Sequence, residues 1–207
     1  MTVMLEGLVV GDEPATWTAL GFAVRAGRTR VGGIDIELAG TAAGRGIVGW
    51  RLRGITGGTD LDGLATEEAL GLDAPDLHDG GAFAHPNGAV ALDHVVAFTG
   101  DFDRTTAVLE RAGMELRRVR EVPGGPVRQG FFLLGRSMLE LAGPVDGHDA
   151  AAFWGLTVSV ADLDAAVGLL GEERVGAPRD AVQPGRRIAT VRREAGSSVP
   201  LALMTPR

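Results

Sequence analysis

The sequence predicts an α+β fold built from repeated β-α-β-β-β modules. Two observations carry this reading. One is an internal repeat: aligned on Asp101 and Asp162, LDHVVAFTGD falls on FWGLTVSVAD without a gap, and MLELAGP falls on PLALMTP. The other is a recurring order of patterns, in which a short apolar run is followed by an amphipathic helical stretch and then by further runs broken at Gly and Pro.

In chain order, residues 1–56 read as a diverged first module. LEGLVV is strand-like, Asp12 precedes Glu13-Pro14 at a helix start, Trp17 and Leu20 share a face, and Gly21 ends the helix. The runs AVRAGR, GIDIEL and IVGWRLR follow as strands. Residues 57–90 have no sustained periodicity and read as an acidic, Gly-rich linker, expected to be the least ordered part or to lie as a lid over a cup mouth. The module at 91–145 opens with Leu92–Phe98 and continues with Asp101 as N-cap. Phe102, Val108, Leu109 and Ala112 form one helical face, and Gly113 closes the helix. Strands over Glu115–Val122, Val127–Leu134 and Ser137–Ala142 complete it. The module at 150–207 repeats the plan: FWGLTVSV, Asp162 as N-cap, Leu163, Ala166, Val167 and Leu170 on one face, Gly171, then strands ending in VPLALMTP.

Composition excludes several functions. The 207 residues are 45% hydrophobic and 23% charged, a globular balance. With no Cys there are no disulfides or thiolate chemistry, and every basic residue is Arg, which excludes a Schiff-base lysine and a phosphate-loop lysine. The net charge of −7 arises in the linker, where Asp60, Asp62, Glu67, Glu68, Asp73, Asp76 and Asp79 face no Arg. No basic stripe remains for nucleic acid, no apolar run is long enough for a membrane span, and no signal-peptide pattern is present, so a cytoplasmic location is expected. Phosphate-loop, H-E-x-x-H and G-x-S-x-G motifs are absent. Asp35 and Glu37, in phase on one strand, and Arg51 and Arg53 on the next, predict cross-strand ion pairs. Arg186-Arg187 and Arg192-Arg193 read as solvated surface.

A tandem β-α-β-β-β module that opens with LDHVV and closes with LELAGP resembles the vicinal-oxygen-chelate superfamily of glyoxalase I, extradiol dioxygenases and bleomycin-resistance proteins. The resemblance covers residues 91–206 best and 1–56 more weakly. It implies cup-shaped mixed sheets with helices outside, a ligand inside the cup, and metal ligands on the first and last strands of each module. Those positions are His94 and Glu140 in the middle module, types suited to a divalent ion. They are Gly155 and Ala202 in the C-terminal module, and Gly7 and approximately Arg51 in the first. Two of the four positions of the better-matched pair therefore lack a ligating side chain. His85, His148 or a second subunit are the sources that would complete a site.

Strand alternation turns His94 and Glu140 to one face, with Val95, Ala97, Leu139 and Leu141 packed under the helix. Trp154, Gly155, Thr157, Ala202 and Met204 are expected to line the ligand space opposite. Two function classes follow: a glyoxalase-like protein that binds or transforms a small organic metabolite without a complete metal site, or a metal-dependent lyase, isomerase or dioxygenase. In the first class His94 and Glu140 would act as acid and base; the cofactor would be none or a weakly held divalent metal. An odd number of modules leaves one unpaired, which predicts a homodimer.

Overall fold

A computed structural model of the chain describes residues 2–69, 83–122, 124–144 and 148–207. The C-terminal part is an eight-stranded mixed sheet made of two β-α-β-β-β modules. The first comprises β7 (Ala89–Phe98), α2 (Phe102–Arg111), β8 (Glu115–Glu121), β9 (Val127–Leu134) and β10 (Ser137–Pro144). The second comprises β11 (Ala152–Val160), α3 (Leu163–Leu170), β12 (Arg179–Asp180), β13 (Arg187–Thr190) and β14 (Leu201–Met204). Their order is β12-β13-β14-β11-β7-β10-β9-β8, so the opening strands of the two modules meet, antiparallel, at the centre. The helices start as the sequence predicts. Asp101 accepts from the Arg104 amide and Asp162 from the Ala165 amide, each at 2.9 Å. Phe102 and Leu109 of α2 and Leu163, Ala166 and Leu170 of α3 are buried against the sheet. Val95, Ala97, Leu139 and Leu141 lie beneath, fully buried.

The N-terminal part is a second mixed sheet of β1 (Met4–Val10), β2 (Arg28–Val31), β3 (Ile34–Leu38), β4 (Ile47–Arg53), β5 (Asp60–Leu61) and β6 (Leu64–Glu68), with α1 (Pro14–Ala19) after β1. Three sequence readings change here. The run AVRAGR is not a strand: Ala26 and Gly27 take positive φ of 48° and 72° and form a turn, and only Arg28 enters β2. Residues 60–68, read as linker, form the β5–β6 hairpin, and β6 pairs parallel with β4. Alternation over so few residues is too short to register as a pattern. Residues 83–90, also read as linker, are ordered: Asn87 donates to the Leu20 carbonyl at 2.8 Å, His85 accepts the Ala23 amide at 3.0 Å, and Ala89 begins β7. The rest of the expected lid, residues 70–82, lies outside the described residues.

The third change concerns β4. It does not close the first module: β3 already lies parallel to β1, and β4 pairs antiparallel on the other side of β1. The order β2-β3-β1-β4-β6-β5 therefore repeats β9-β10-β7-β11-β14-β13, strand for strand and with the same parallel and antiparallel senses. The bulges repeat too. Glu6 is the extra residue in β1 where Asp93 is in β7, and Val48 is the extra residue in β4 where Trp154 is in β11. The N-terminal sheet is thus a reduced two-module sheet that lacks both outer strands and one helix. The module count is even, which removes the premise of the homodimer expectation.

Both sheets contribute their apolar faces to one buried cluster that includes Leu8, Ile36, Trp50, Val95, Phe132, Leu156 and Leu203. Polar ties cross between them. Asp12, 3% exposed, accepts from Trp17 Nε1 at 3.0 Å, Ser197 Oγ at 2.8 Å and the Ser198 amide at 2.8 Å. Asp62 in the β5–β6 turn binds Arg104 and Thr105 of α2. No helix among the described residues is long and apolar enough to cross a membrane.

Candidate functional site

The polar residues of the eight-stranded sheet meet on the face away from the helices. Register places His94 of β7 opposite Met138 of β10, so Glu140 sits one pleat further along the same face. His94 Nε2 and Glu140 Oε2 are 3.8 Å apart, with side chains 12% and 18% exposed. This is too long for a direct hydrogen bond, yet close enough for one ligand atom to lie within hydrogen-bond reach of both. Each group is held from behind. Gln129 Nε2 donates to Glu140 Oε1 at 2.7 Å, and Gln129 Oε1 accepts from Arg120 Nε, so Glu140 Oε2 stays available. His94 Nδ1 lies 2.9 Å from Asp93 Oδ1.

Asp93 escaped the sequence reading. Strict alternation assigns it to the face of Val95, beneath the helix. The bulge in β7 gives β7 two steps for one of β11 between Leu92 and His94, so Asp93 shares the cup face with His94. Arg186 reaches Asp93 Oδ2 at 2.7 Å and also donates to the Thr205 carbonyl, while Ser159 Oγ and Arg207 approach at 3.3 and 3.4 Å. Burial pushes the Asp93 carboxyl up, but the hydrogen bonds from His94, Arg186 and Arg207, with the charge of Arg207, outweigh it and hold the group well below the usual carboxylate range. An ionised carboxylate only accepts, so His94 donates Nδ1–H to Asp93 and turns Nε2 toward Glu140. The signal in the sequence was an Asp inside an apolar strand. Arg186, read as solvated surface, is 8% exposed and belongs to this cluster; Arg187 beside it is the one that stays outside, paired with Asp164.

The other expected lining residues divide. Thr157 lies directly across from His94, and Ala202 next to Thr157. Thr157 and Met204 are buried, and Arg186 occupies the space near Ser159, so this half of the cup is filled by side chains. Gly155 leaves no volume for a ligand: a Cβ there would lie 2.5 Å from the Pro200 carbonyl oxygen. Trp154 is 48% exposed and meets Phe98 edge-on, with ring centroids 5.4 Å apart. A separate cleft of about 240 Å³ lies between the sheets at Glu6, Ile34, Arg53, Leu134 and Arg136, and includes none of these residues.

Neither histidine expected to complete a metal site is placed to do so. His85 donates from Nε2 to the Arg30 carbonyl at 2.9 Å and accepts the Ala23 amide on Nδ1 at 3.0 Å, which uses both nitrogens. His148 adjoins Asp149, which is tied to Gly100 beyond the end of β7, about 20 Å along the strand from His94. Among the described residues no three His, Asp or Glu side chains are grouped to hold a metal. His94 and Glu140 alone are two donors, and Gly155 and Ala202 supply none, so the described residues of a single chain do not fit the divalent ion that the resemblance implies.

His85 also predicts a pH effect. Burial lowers its pKa from 6.5, partly opposed by the hydrogen bond to Arg30. A lowered folded-state pKa contributes stability above pH 6.5 that is lost as pH falls through the folded value. His85→Gln is expected to flatten the pH dependence of the denaturation midpoint between pH 7 and 5; an unchanged slope would contradict the role.

The N-terminal sheet carries the same positions with different residues. Gly7 lies opposite Asp35 as His94 lies opposite Met138, and Glu37 then matches Glu140. Gly49 and Glu67 stand at the places of Gly155 and Ala202, and Arg51 at that of Thr157. The Arg51 guanidinium lies over Gly7, where a Cβ would be 3.5 Å from Nη1, and pairs with Glu37, Asp35 and Glu67. Arg28 pairs with Asp35 and Glu37, and Arg53 with Glu6. The cross-strand ion pairs read from the sequence are present, and together they close this copy of the site.

No family model matches the chain, and no curated protein matches it. Among solved structures it is similar to methylmalonyl-CoA epimerase from Mycobacterium tuberculosis, at 20% identity and TM-score 0.47 over 58% of this chain and 90% of that one. A hypothetical protein from Bacillus halodurans matches at 14% identity and TM-score 0.46, over 56% and 94%. Streptomyces coelicolor methylmalonyl-CoA epimerase in complex with 2-nitronate-propionyl-CoA matches at 20% and 0.45, over 56% and 94%.

Proposed function

We propose that the protein binds a small organic molecule over the cup face of the eight-stranded sheet and moves a proton on it. Glu140 is the proton acceptor and His94 its partner. The observation that carries this is the convergence of His94 Nε2 and Glu140 Oε2 at 3.8 Å, each fixed from behind by a residue that leaves the reactive atom free. Such preorganisation suits general acid–base work, where geometry decides before basicity does.

The step balances within the site. A ligand hydrogen made acidic by an adjacent carbonyl passes to Glu140 Oε2, and its electron pair moves onto the carbonyl oxygen. Protonated His94 donates Nε2–H to that oxygen while Asp93 stabilises the imidazolium through Nδ1. Return of a proton to the same carbon exchanges its hydrogen with solvent, and return to a neighbouring atom on that face gives an isomerised product. Metal ions enter no step.

Hydrogen exchange tests this whatever the product. Mixtures of small metabolites with an acidic C–H beside a carbonyl are incubated with the protein in D2O and followed by 1H NMR. The wild type is expected to exchange hydrogen for deuterium in at least one compound. Glu140→Gln is expected to slow this about 100-fold or more, and His94→Gln about tenfold to 100-fold. Exchange by Glu140→Gln at the wild-type rate rejects the assignment.

A further inference from the structure

The aromatic pair Phe98–Trp154 is unexplained by packing. Phe98 is 46% exposed and Trp154 48%, whereas Trp17 and Trp50 are almost completely buried. Phe98 lies in phase with His94 and Val96, and pairing of β7 with β10 is unbroken from His94 to Phe98, so all three share the cup face. Phe98 is about 13 Å along the strand from His94. Trp154 reaches the same face because it is the extra residue of the bulge in β11. The two rings meet at 62° with centroids 5.4 Å apart, an edge-to-face contact that leaves ring surface uncovered.

The N-terminal sheet supplies an internal control. It repeats both bulges, and there the places of Trp154 and Phe98 are taken by Val48 and Gly11. That is the sheet whose site Arg51 closes. The exposed aromatic pair therefore occurs on the sheet that keeps His94 and Glu140 open, and is missing from the one that does not.

We propose that Phe98 and Trp154 form the apolar end of the ligand site, a platform for the planar ring of an elongated small molecule whose polar end reaches His94 and Glu140. This rests on the cup-face reading above and names its ligand class: a molecule with an aromatic or conjugated ring at one end and a hydrogen-bonding or acidic group at the other. Val96, between the two ends, keeps the path apolar.

The test uses 4-phenylphenol as probe. Its binding to the wild type is measured by equilibrium dialysis and by quenching of Trp154, the one exposed tryptophan. Trp154→Ala and Phe98→Ala are each expected to weaken binding about tenfold. His94→Ala and Glu140→Ala are expected to weaken it less, since the ring contacts remain. Failure of the wild type to bind the probe at millimolar concentration overturns the proposal, as does wild-type affinity in Trp154→Ala. Loss in Trp154→Ala with no effect of His94→Ala or Glu140→Ala leaves the platform standing and removes the His94–Glu140 reading instead. Sedimentation in which the wild type is a dimer and Trp154→Ala a monomer would assign the pair to a subunit interface and overturn the ligand role.

Discussion

Asp93→Ala is expected to destabilise the fold by about 3–5 kcal/mol, the cost of leaving a buried charge without its partner. The stranded charge is Arg186, whose side chain is 9% exposed and whose Nη2 lies 2.7 Å from Asp93 Oδ2. Its contacts to the Thr205 carbonyl and to Ser159 remain, but neither carries charge. His94 loses the acceptor that holds its Nδ1–H at the same time, so the damage reaches the site as well as the core. Urea unfolding at pH 7 measures the first effect, and the 15N shifts of the His94 ring measure the second. A loss below about 1 kcal/mol would mean that water solvates Arg186 in place of the carboxylate and that the cluster is not closed.

The same group fixes a pH response. Its folded-state pKa is lowered from 3.8, so the stability it contributes is present above that value and is lost as pH falls below it. Asp93→Asn, tested beside the wild type, is expected to remove that part of the acid sensitivity. Equal slopes in the two proteins below pH 4 would show that other carboxylates carry the acid transition.

Gly155→Ala is expected to cost about 1–3 kcal/mol even though one methyl group is a small change. Gly155 lies in β11, with β7 on one side and β14 on the other, and its Cβ would lie 2.5 Å from the Pro200 carbonyl oxygen. That atom is backbone and accepts the Leu156 amide at 2.9 Å, so it cannot give way without loosening the strand pair. Gly168→Ala is the control. It sits in α3 with nothing within 4 Å of its Cβ position and is expected to stabilise by about 0.5–1 kcal/mol. Thermal denaturation of both variants separates space from propensity. Gly155→His, which would put an imidazole at the place equivalent to His94, meets the same carbonyl and is expected to fold poorly. The departure at Gly155 thus reflects backbone approach, and a wild-type melting temperature for Gly155→Ala would refute that account.

Much of this was legible in the sequence where short-range physics decides. The repeat, the Asp101 and Asp162 caps and the apolar stripes of α2 and α3 depend on neighbours within a few residues, and the structure shows each of them. The convergence of His94 and Glu140 followed from alternation on two strands of one module, because a period of two with one buried face leaves little freedom of register. Tertiary structure alone decided the rest. One inserted residue at the β7 bulge moves Asp93 to the opposite face from the one strict alternation assigns, and nothing local marks where a bulge will fall. The partner of β4 was set by whether β3 or β4 would lie parallel to β1, a contest between segments far apart in the chain. Arg186 became a buried ion because the chain before β13 brings it to a carboxylate 93 positions away. Arg51 closed the first cup because Gly7, on another strand, left room for its guanidinium. Periodicity records which face a side chain takes; only the assembled sheet determines what stands opposite it.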